Sequence, residues 1–433
     1  MDIPTLYELY RRHPTIVTDT RQIKPGCIFF ALKGDKFDGN TFAHKALESG
    51  AAHAVISDTS LQDERFVHVP DTLEALQQLS KFHRNHFWIP FIGITGTNGK
   101  TTTKELITGV LSKKYRVHAT TGNYNNHIGV PLTLLNIADD TEIAVIEMGA
   151  NHEGEIQFLC DLAMPTHGLI TNIGKAHLEG FGSIDGVQMA KGELYDYLAK
   201  TNGFVFVNAD DPRLAVMAEN LPLKTKYGTS PDRNAEFAFE LNTNKNEPGF
   251  ILSKGDVRIP SSLFGDYNAI NMVAAFVVGS HFAVDVPDMI DFLSSFKSGA
   301  NRSETSTIHG CTIIKDAYNA NPSSMEKALN AFKEKFPNGW LLLGDMKELG
   351  SESRSLHQQM IRTILDLRFD HIILVGREFM QALKEMEVTD QSIITAETIE
   401  EIQKDWRWEK CHGKALLLKG SRSMHLEKIL ESG

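Results

Sequence analysis

The chain is poor in cysteine, has no long apolar run and carries no excess of positive charge. Its 433 residues include only four cysteines, Cys27, Cys160, Cys311 and Cys411. No two have CxxC spacing, which excludes the usual zinc and redox signatures. Four cysteines could make two bridges, but a chain of this length buries sizeable cores without them. Reduced thiols are expected. No run of about 18 apolar residues occurs, so no membrane span is expected. Met1 to Arg12 lacks an apolar stretch followed by a small-residue cleavage site, so no signal peptide is read there. Lysine and arginine number 44 against 55 aspartates and glutamates, a net charge of −11. That balance argues against a general nucleic-acid binder and against a surface for anionic lipid. It leaves small anionic ligands open, because local groups hold those. There is no internal repeat and no low-complexity tract. The composition is otherwise ordinary, 42% apolar and 23% charged, which predicts a soluble, cytoplasmic globular protein. The length predicts roughly two to four domains of ~100–200 residues each.

Strand and helix signals alternate along most of the chain. Cys27–Leu32 and Ala51–Ile56 read as strands in a first, small mixed α/β unit, with Asp35–Asn40 as a turn. From Ile89–Thr95 onward, apolar runs at Ile143–Glu147, Gly168–Asn172 and Phe204–Asn208 are separated by helical stretches. This rhythm predicts a parallel sheet with right-handed crossovers. Ala235–Pro260 alternates around an Asn/Pro/Gly turn and reads as an antiparallel excursion. A third rhythm follows, with strands at Thr312–Lys315, Trp340–Leu343, His371–Val375 and Ala415–Leu418 and a helix at Leu356–Leu367. It predicts a Rossmann-like doubly wound unit. The expected fold is α/β in three domains, 1–86, 87–299 and 300–433.

The strongest local signal is the stretch from Gly93 to Thr103, GITGTNGKTTT. A buried strand enters a Gly-rich turn, and Lys and Thr then open a helix. Backbone N–H groups of Gly96, Thr97, Asn98, Gly99, Lys100, Thr101 and Thr102 can cradle phosphate oxygens at the helix N-terminus. Lys100 supplies a full charge for the β/γ phosphates, and the Thr101 hydroxyl can ligate Mg²⁺. The general pattern GxxxxGK[ST] is only partly met, since its first glycine would fall at Ile94.

Other candidates are weaker singly. Glu147 ends a strand where ligands bind in open α/β sheets, and reads as a metal carboxylate or a helix cap. His177 reads as a metal ligand or a loop histidine; Mg²⁺ ordinarily prefers oxygen. Lys191 on a helix would ordinarily be solvated. Asn268 and Asn271 share a helix face at i, i+3 spacing and suit an adenine edge or a cap. Arg302 suits phosphate and Asp316 a ribose or metal. Arg422 follows a strand and could clamp a carboxylate in bidentate fashion, or make a surface salt bridge.

Taken in order, these segments resemble the Mur ligase family of amino-acid and peptide ligases over nearly the whole chain. The likeness rests on Thr95–Thr103 (TGTNGKTTT), strand-end Glu147, the His177 segment, Ala190-Lys191, the Asn268/Asn271 helix and the Arg302/Asp316 pair. It also rests on TDTRQ at 18–22, GNYNNHIGVP at 122–131, MGANHEGE at 148–155, DAYNANP at 316–322 and LGDMKELG at 343–350. These longer segments are similar to the branch that adds D-alanyl-D-alanine. The DNPR-type segment of the third-amino-acid-adding branch is absent. The resemblance implies ATP-dependent ligation of D-alanyl-D-alanine to UDP-N-acetylmuramoyl-tripeptide through an acyl phosphate, by a monomer. The first domain would bind the UDP-sugar, the central one ATP, and the third the nucleotide and dipeptide. Lys100, Lys191, His177 and Glu147 would be catalytic. Thr101, Glu147, His177 and Lys191 would hold Mg²⁺, two ions in all, with Lys191 carbamylated. Asn268, Asn271, Arg302 and Asp316 would bind ATP with the phosphate loop. Thr20, Arg21, Asn123, Asn125 and Asn126 would meet the UDP-muramoyl peptide. Asp345, Lys419, Ser421 and Arg422 would meet the dipeptide.

Overall fold

Apolar runs that do not alternate form strands covered on both faces, the habit of parallel sheets. In the computed structural model, which describes residues 1–34, 37–230, 235–243, 249–299 and 301–431, Phe91–Thr95, Ile143–Glu147 and Ala415–Lys419 are buried along their whole length. Each lies inside a parallel sheet.

Three such sheets follow one another. The first has four parallel strands in the order Ile16–Val17, Ile28–Phe30, His53–Ile56, Phe66–His68. The second has seven, in the order Phe237–Ala238, Lys224–Gly228, Phe204–Asn208, His167–Ile170, Phe91–Thr95, Ile143–Glu147, Val117–Ala119, all parallel. Helices Lys100–Leu111, Ala269–His281 and Val286–Ser295 cover one face of it, and Glu155–Ala163 and Ile184–Lys200 the other. A three-stranded antiparallel sheet, Glu240–Thr243, Phe250–Lys254 and Val257–Ser261, hangs from it. The third sheet has the order Glu304–Ile308, Cys311–Lys315, Ala415–Lys419, Trp340–Gly344, His371–Val375, Ile393–Ala396. Its first pair is antiparallel and the rest parallel. Helices cover both of its faces, as the doubly wound reading requires.

The strands absent from the sequence reading include Ile16–Val17, Phe66–His68 and Ile393–Ala396, which are short, and three that do not form apolar runs. Lys224–Gly228 is KTKYG, Val117–Ala119 is a short, half-buried edge, and Glu304–Ile308 alternates as a one-sided edge strand. Residues 35–36 of the expected Asp35–Asn40 turn and residues 244–248 of the expected 235–260 turn lie outside the described residues. The flanks of the first, Lys33–Gly34 and Phe37–Asp38, pair antiparallel. The expectation of four reduced thiols is corrected at one pair. Cys311 and Cys411, 100 residues apart with Cα atoms separated by 5.6 Å, are joined as a disulfide. Neighbouring strands of the third sheet bring them together, a proximity no spacing rule carries. Cys27 and Cys160 are buried free thiols.

The first unit is pinned to the second by a buried guanidinium. Helix Thr72–Arg84 is capped by Asp71, whose carboxylate accepts from the amides of Leu73 and Glu74. Its last residue, Arg84, donates to the carbonyls of Ala163 (2.7 Å), Phe87 (2.8 Å) and Met164 (2.9 Å). The Arg84 guanidinium also stacks 3.4 Å from the centroid of the Phe91 ring. Ala163 and Met164 end helix Glu155–Ala163, so Arg84 satisfies orphan carbonyls at the negative end of a helix dipole. Burial lowers its pKa to about 10, which still leaves it charged at neutral pH. Arg84→Leu leaves these buried acceptors unpaired and is expected to cost about 2–3 kcal/mol. Thermal unfolding followed by circular dichroism should show the earliest transition moving down by several degrees.

Candidate active site

The strand Phe91–Thr95 delivers the Gly-rich loop to the carboxyl edge of the central sheet, and helix Lys100–Leu111 leaves from it. Two glycines are required there. Gly99 has φ +81, and Gly96 has φ +139 with its virtual Cβ only 2.0 Å from Thr171 Oγ1. The loop is held before any ligand arrives. Asn98 receives hydrogen bonds on its carbonyl from Thr171 Oγ1 (2.6 Å) and Asn172 Nδ2 (2.9 Å), and its amide donates to Asn172 Oδ1 (3.1 Å). Lys100 curls back so that Nζ donates to the carbonyls of Gly96 (2.7 Å) and Thr97 (3.1 Å). Desolvation lowers its pKa, and the Glu147 charge opposes that shift.

Glu147 is 1% exposed at the end of Ile143–Glu147. Its Oε1 accepts from Thr101 Oγ1 (3.2 Å) and Asn125 Nδ2 (2.8 Å). Its Oε2 has no hydrogen-bond partner, although Lys104 Nζ stands 3.9 Å away. A buried carboxylate oxygen left unpaired beside a threonine hydroxyl fits a divalent cation that takes oxygen ligands and completes its shell with phosphates and water. Among the described residues no three His, Cys, Asp or Glu side chains gather into a metal cluster, so such a cation would depend on its ligand's phosphates.

Lys191 lies beneath this floor. Helix Ile184–Lys200, capped by Ser183, carries it inward until it is 2% exposed. Its Nζ donates to Ala150 O (3.1 Å) and sits 5.1 Å from the centroid of the Phe181 ring. Burial drives its pKa well below the ordinary lysine value, and nearby Lys100 pushes the same way. The solvated-lysine expectation is therefore corrected: the packing of the helix decides, not its composition.

A cleft of about 1140 Å³ opens between the central and third units. Thr97, Asn98, Gly99, Lys100, Thr101, Thr102, Asn123, Asn125, Asn126, Glu147, His177, Asn268, Asn271, Arg302, Asp316 and Lys419 all line it. Gly96 and Lys191 do not line it. Asn268 and Asn271 bond to each other (3.1 Å), and the Asn271 amide sits 3.0–3.1 Å from a virtual Cβ on Gly99. The pair therefore backs the phosphate loop as well as facing the cleft. Asn126 Oδ1 accepts from the amides of Ile128 and Gly129 just before helix Gly129–Leu135. Arg302 stacks 3.6 Å from the centroid of the Tyr318 ring, and Asp316 is paired with Lys419 Nζ at 2.5 Å.

Thr20, Arg21, Asp345, Ser421 and Arg422 do not line the cleft. Asp345 is 1% exposed, and its carboxylate accepts from the amides of Glu378 and Phe379 at the start of helix Arg377–Glu385. Ser421 Oγ is buried and accepts from Lys347 N (2.9 Å). Both side chains brace the turn that follows strand Trp340–Gly344. Arg422 is exposed and lies 3.6 Å from Glu427. Thr20 and Arg21 sit in a 3-10 turn whose Asp19 holds the Arg21 guanidinium.

Among the contacts that join the third unit to the central one, three beside the phosphate loop were missed by the residue-by-residue reading. Asn321 caps helix Pro322–Lys335 through Oδ1 while its Nδ2 donates to Asn98 Oδ1 at 2.7 Å. Ser323 Oγ accepts from Lys175 N (3.0 Å). Glu348 Oε2 lies 2.7 Å from His177 Nδ1. Asn321 and Glu348 sit inside the DAYNANP and LGDMKELG segments, which carried the only signal for them. Lys104 was also missed; its Nζ donates to Thr120 O (2.7 Å), and its spacing of four from Lys100 was the available hint.

Two outcomes follow from this geometry. Asn321→Asp keeps the capping oxygen and removes the donor to Asn98. It should leave thermal stability near wild type while raising the Kd of a fluorescent adenine nucleotide about 3–10-fold, the worth of one hydrogen bond. Asn321→Ala should lose a further ~1 kcal/mol of stability with the cap. Burial sets the folded pKa of Lys191 below its unfolded value. Between the two values the unfolded chain binds more protons, so stability should rise with pH across that window, by up to about 1.4 kcal/mol per unit. In CO₂-free buffer, denaturant unfolding of Lys191→Met should lose that slope and be more stable at pH 7.

Comparison with known proteins agrees with this arrangement. Residues 15–84 match the Mur ligase family, catalytic domain; residues 94–279 the Mur ligase middle domain; and residues 301–422 the Mur ligase, glutamate ligase domain. The chain is 36% identical to the Bacillus subtilis UDP-N-acetylmuramoyl-tripeptide–D-alanyl-D-alanine ligase, over 96% of this chain and 92% of that protein. It is 34% identical to the Escherichia coli protein of the same name, over 84% and 81%. A crystal structure of MurF from Acinetobacter baumannii superposes with a TM-score of 0.87 at 28% identity, covering 99% of this chain and 97% of that one. MurF from Thermotoga maritima in complex with ADP superposes at 0.84 with 27% identity, covering 98% and 97%. With its phosphate loop, buried Glu147 and three α/β units matched from end to end, the chain belongs to the Mur ligase family.

Proposed function

We propose that the cleft joins D-alanyl-D-alanine to UDP-N-acetylmuramoyl-tripeptide with cleavage of ATP to ADP and phosphate. The relatives' names supply the substrates. The observation that carries the assignment to this cleft is the unpaired Glu147 Oε2 beside the Thr101 hydroxyl, at the mouth of a preformed phosphate loop.

A carboxylate is a poor electrophile toward an amine, so the tripeptide's terminal carboxylate is first phosphorylated. Its oxygen attacks the γ-phosphorus of ATP, and ADP leaves. The free amine of D-alanyl-D-alanine then attacks the acyl carbon. The tetrahedral adduct loses a proton and collapses to amide and phosphate. The transfer depends on positioning and on charge stabilisation. Amides of residues 96–102 hold the phosphates, and Lys100 turns from its loop carbonyls toward the γ-phosphoryl group. Thr101 and Glu147 would hold one Mg²⁺, and His177 with a carbamylated Lys191 a second. Mg²⁺ would neutralise charge on the transferring phosphoryl oxygens. The lowered pKa of Lys191 supports the carbamate, since only a neutral amine adds CO₂. Asn268 and Asn271 are assigned to the adenine end, and Arg302 and Asp316 approach the nucleotide from the third unit. Asn123, Asn125 and Asn126 are assigned to the UDP-muramoyl peptide, and Lys419 to the dipeptide side. We assign residues 1–86 to UDP-sugar binding, 87–299 to ATP and 300–433 to dipeptide and nucleotide contacts. Closing the third unit over the loop excludes water from the acyl phosphate.

Phosphate release measured with ATP and Mg²⁺ tests the reading. It should require both UDP-N-acetylmuramoyl-tripeptide and D-alanyl-D-alanine and should vanish in Lys100→Ala, with folding unchanged by circular dichroism. Hydrolysis indifferent to both acceptors would identify a nucleotide-driven switch instead.

A further inference from the structure

His177 and Glu348 face each other across the seam between the central and third units, and both hold left-handed backbone angles, φ +50 and +62. Non-glycine residues adopt that conformation at a cost, and it persists where surrounding contacts impose it. Here the contacts are visible. The amide of Glu179 donates to Glu348 O at 3.4 Å, and a Cβ on Gly350 would come within 3.1 Å of Glu179 Cα. The loop bearing Glu348 thus presses on the start of helix Leu178–Phe181, which His177 precedes.

That loop is set by its own unit. His357 is fully buried; its Nδ1–H donates to Ser353 O (2.7 Å), which leaves Nε2 to accept from the amide of Met346 (3.1 Å). Asp345 and Ser421 hold the same loop from the other side. Glu348 is therefore delivered to His177 by a rigid support, with its Oε2 2.7 Å from Nδ1.

The chemistry of the pair is directional. An ionised carboxylate only accepts, so His177 Nδ1 must carry the proton. In the neutral ring Nε2 then keeps its lone pair and becomes the ligand atom. A carboxylate on the far nitrogen is the arrangement that fixes and strengthens metal-binding imidazoles. We propose that Glu348 is a positioning residue, supplied by the third unit, which fixes the Nδ1–H form of His177 and so completes the second divalent-cation site only when that unit is docked. This rests on the two-cation reading of the proposed function.

The test counts cations on the full-length protein. Mn²⁺ is titrated in the presence of a non-hydrolysable ATP analogue and bicarbonate, with free Mn²⁺ read by electron paramagnetic resonance. Wild type should bind two ions. Glu348→Ala should weaken one of them about 10–100-fold and leave the other unchanged. Glu348→Gln, whose amide oxygen accepts the same hydrogen bond without the charge, should fall between. Circular dichroism and the Kd of the analogue without Mn²⁺ check that both variants are folded. Two unaltered Mn²⁺ affinities in Glu348→Ala overturn the inference, including where small-angle scattering shows a more open molecule, since the pair is then a latch alone. A wild type that binds a single Mn²⁺ overturns the two-cation reading and this inference with it.

Discussion

A single buried carboxylate organises the chemistry of this molecule. Glu147 ends a strand inside the central sheet, where a charge is costly unless neighbours answer it. Thr101, Asn125 and Lys104 all turn toward it, and its amide donates to Thr120 Oγ1 at 2.9 Å. Each of these residues also positions something else. Thr101 opens the phosphate-loop helix, Lys104 ties that helix to the carbonyls of Thr120 and Gly122, and Asn125 belongs to the loop at the cleft rim. The phosphate loop and the cleft rim are thus held in one register by one anion.

The two seams of the chain are built differently. The first unit meets the second through apolar packing around Leu135 and through the triply bonded Arg84. The third meets the central unit through polar contacts at Asn321, Ser323 and Glu348 and through apolar packing that includes Phe264 against Phe332. The distinguishing feature of the first seam is therefore the buried, triply bonded guanidinium, and that of the second is the row of polar contacts beside the phosphate loop. The net charge of −11 sits easily with polyanionic ligands. In the proposed function attraction is placed in backbone amides, Lys100 and Arg302, and the bulk surface does not have to supply it.

Much of the core was legible. Ile143–Glu147 and Phe204–Asn208 emerge with the bounds their apolar runs predict, because strands buried on both faces need continuous apolar sequence. The phosphate loop was equally legible, since its glycines and lysine meet local backbone demands. Lys224–Gly228 was not, because its first three residues are only half-buried, which permits lysine. Site residues divided along the same line. Those that line the cleft beside the phosphate loop carry a local motif. Asp345 and Ser421 looked the same in sequence but turn inward, and Asn321 and Glu348 acquire their contacts only from a different unit.

By itself the sequence determined three α/β units, a phosphate-binding turn and a strand-end carboxylate beside it. Each depends on residues near one another in the chain, where periodicity, glycine conformation and helix-terminal amides act. Tertiary structure alone decided that Lys191 is buried and inclined to lose its proton, that Cys311 meets Cys411, and that His177 answers to Glu348. Those outcomes depend on which surfaces pack together. Burial, and the electrostatics that follow from it, belong to the assembled sheets and not to any window of residues.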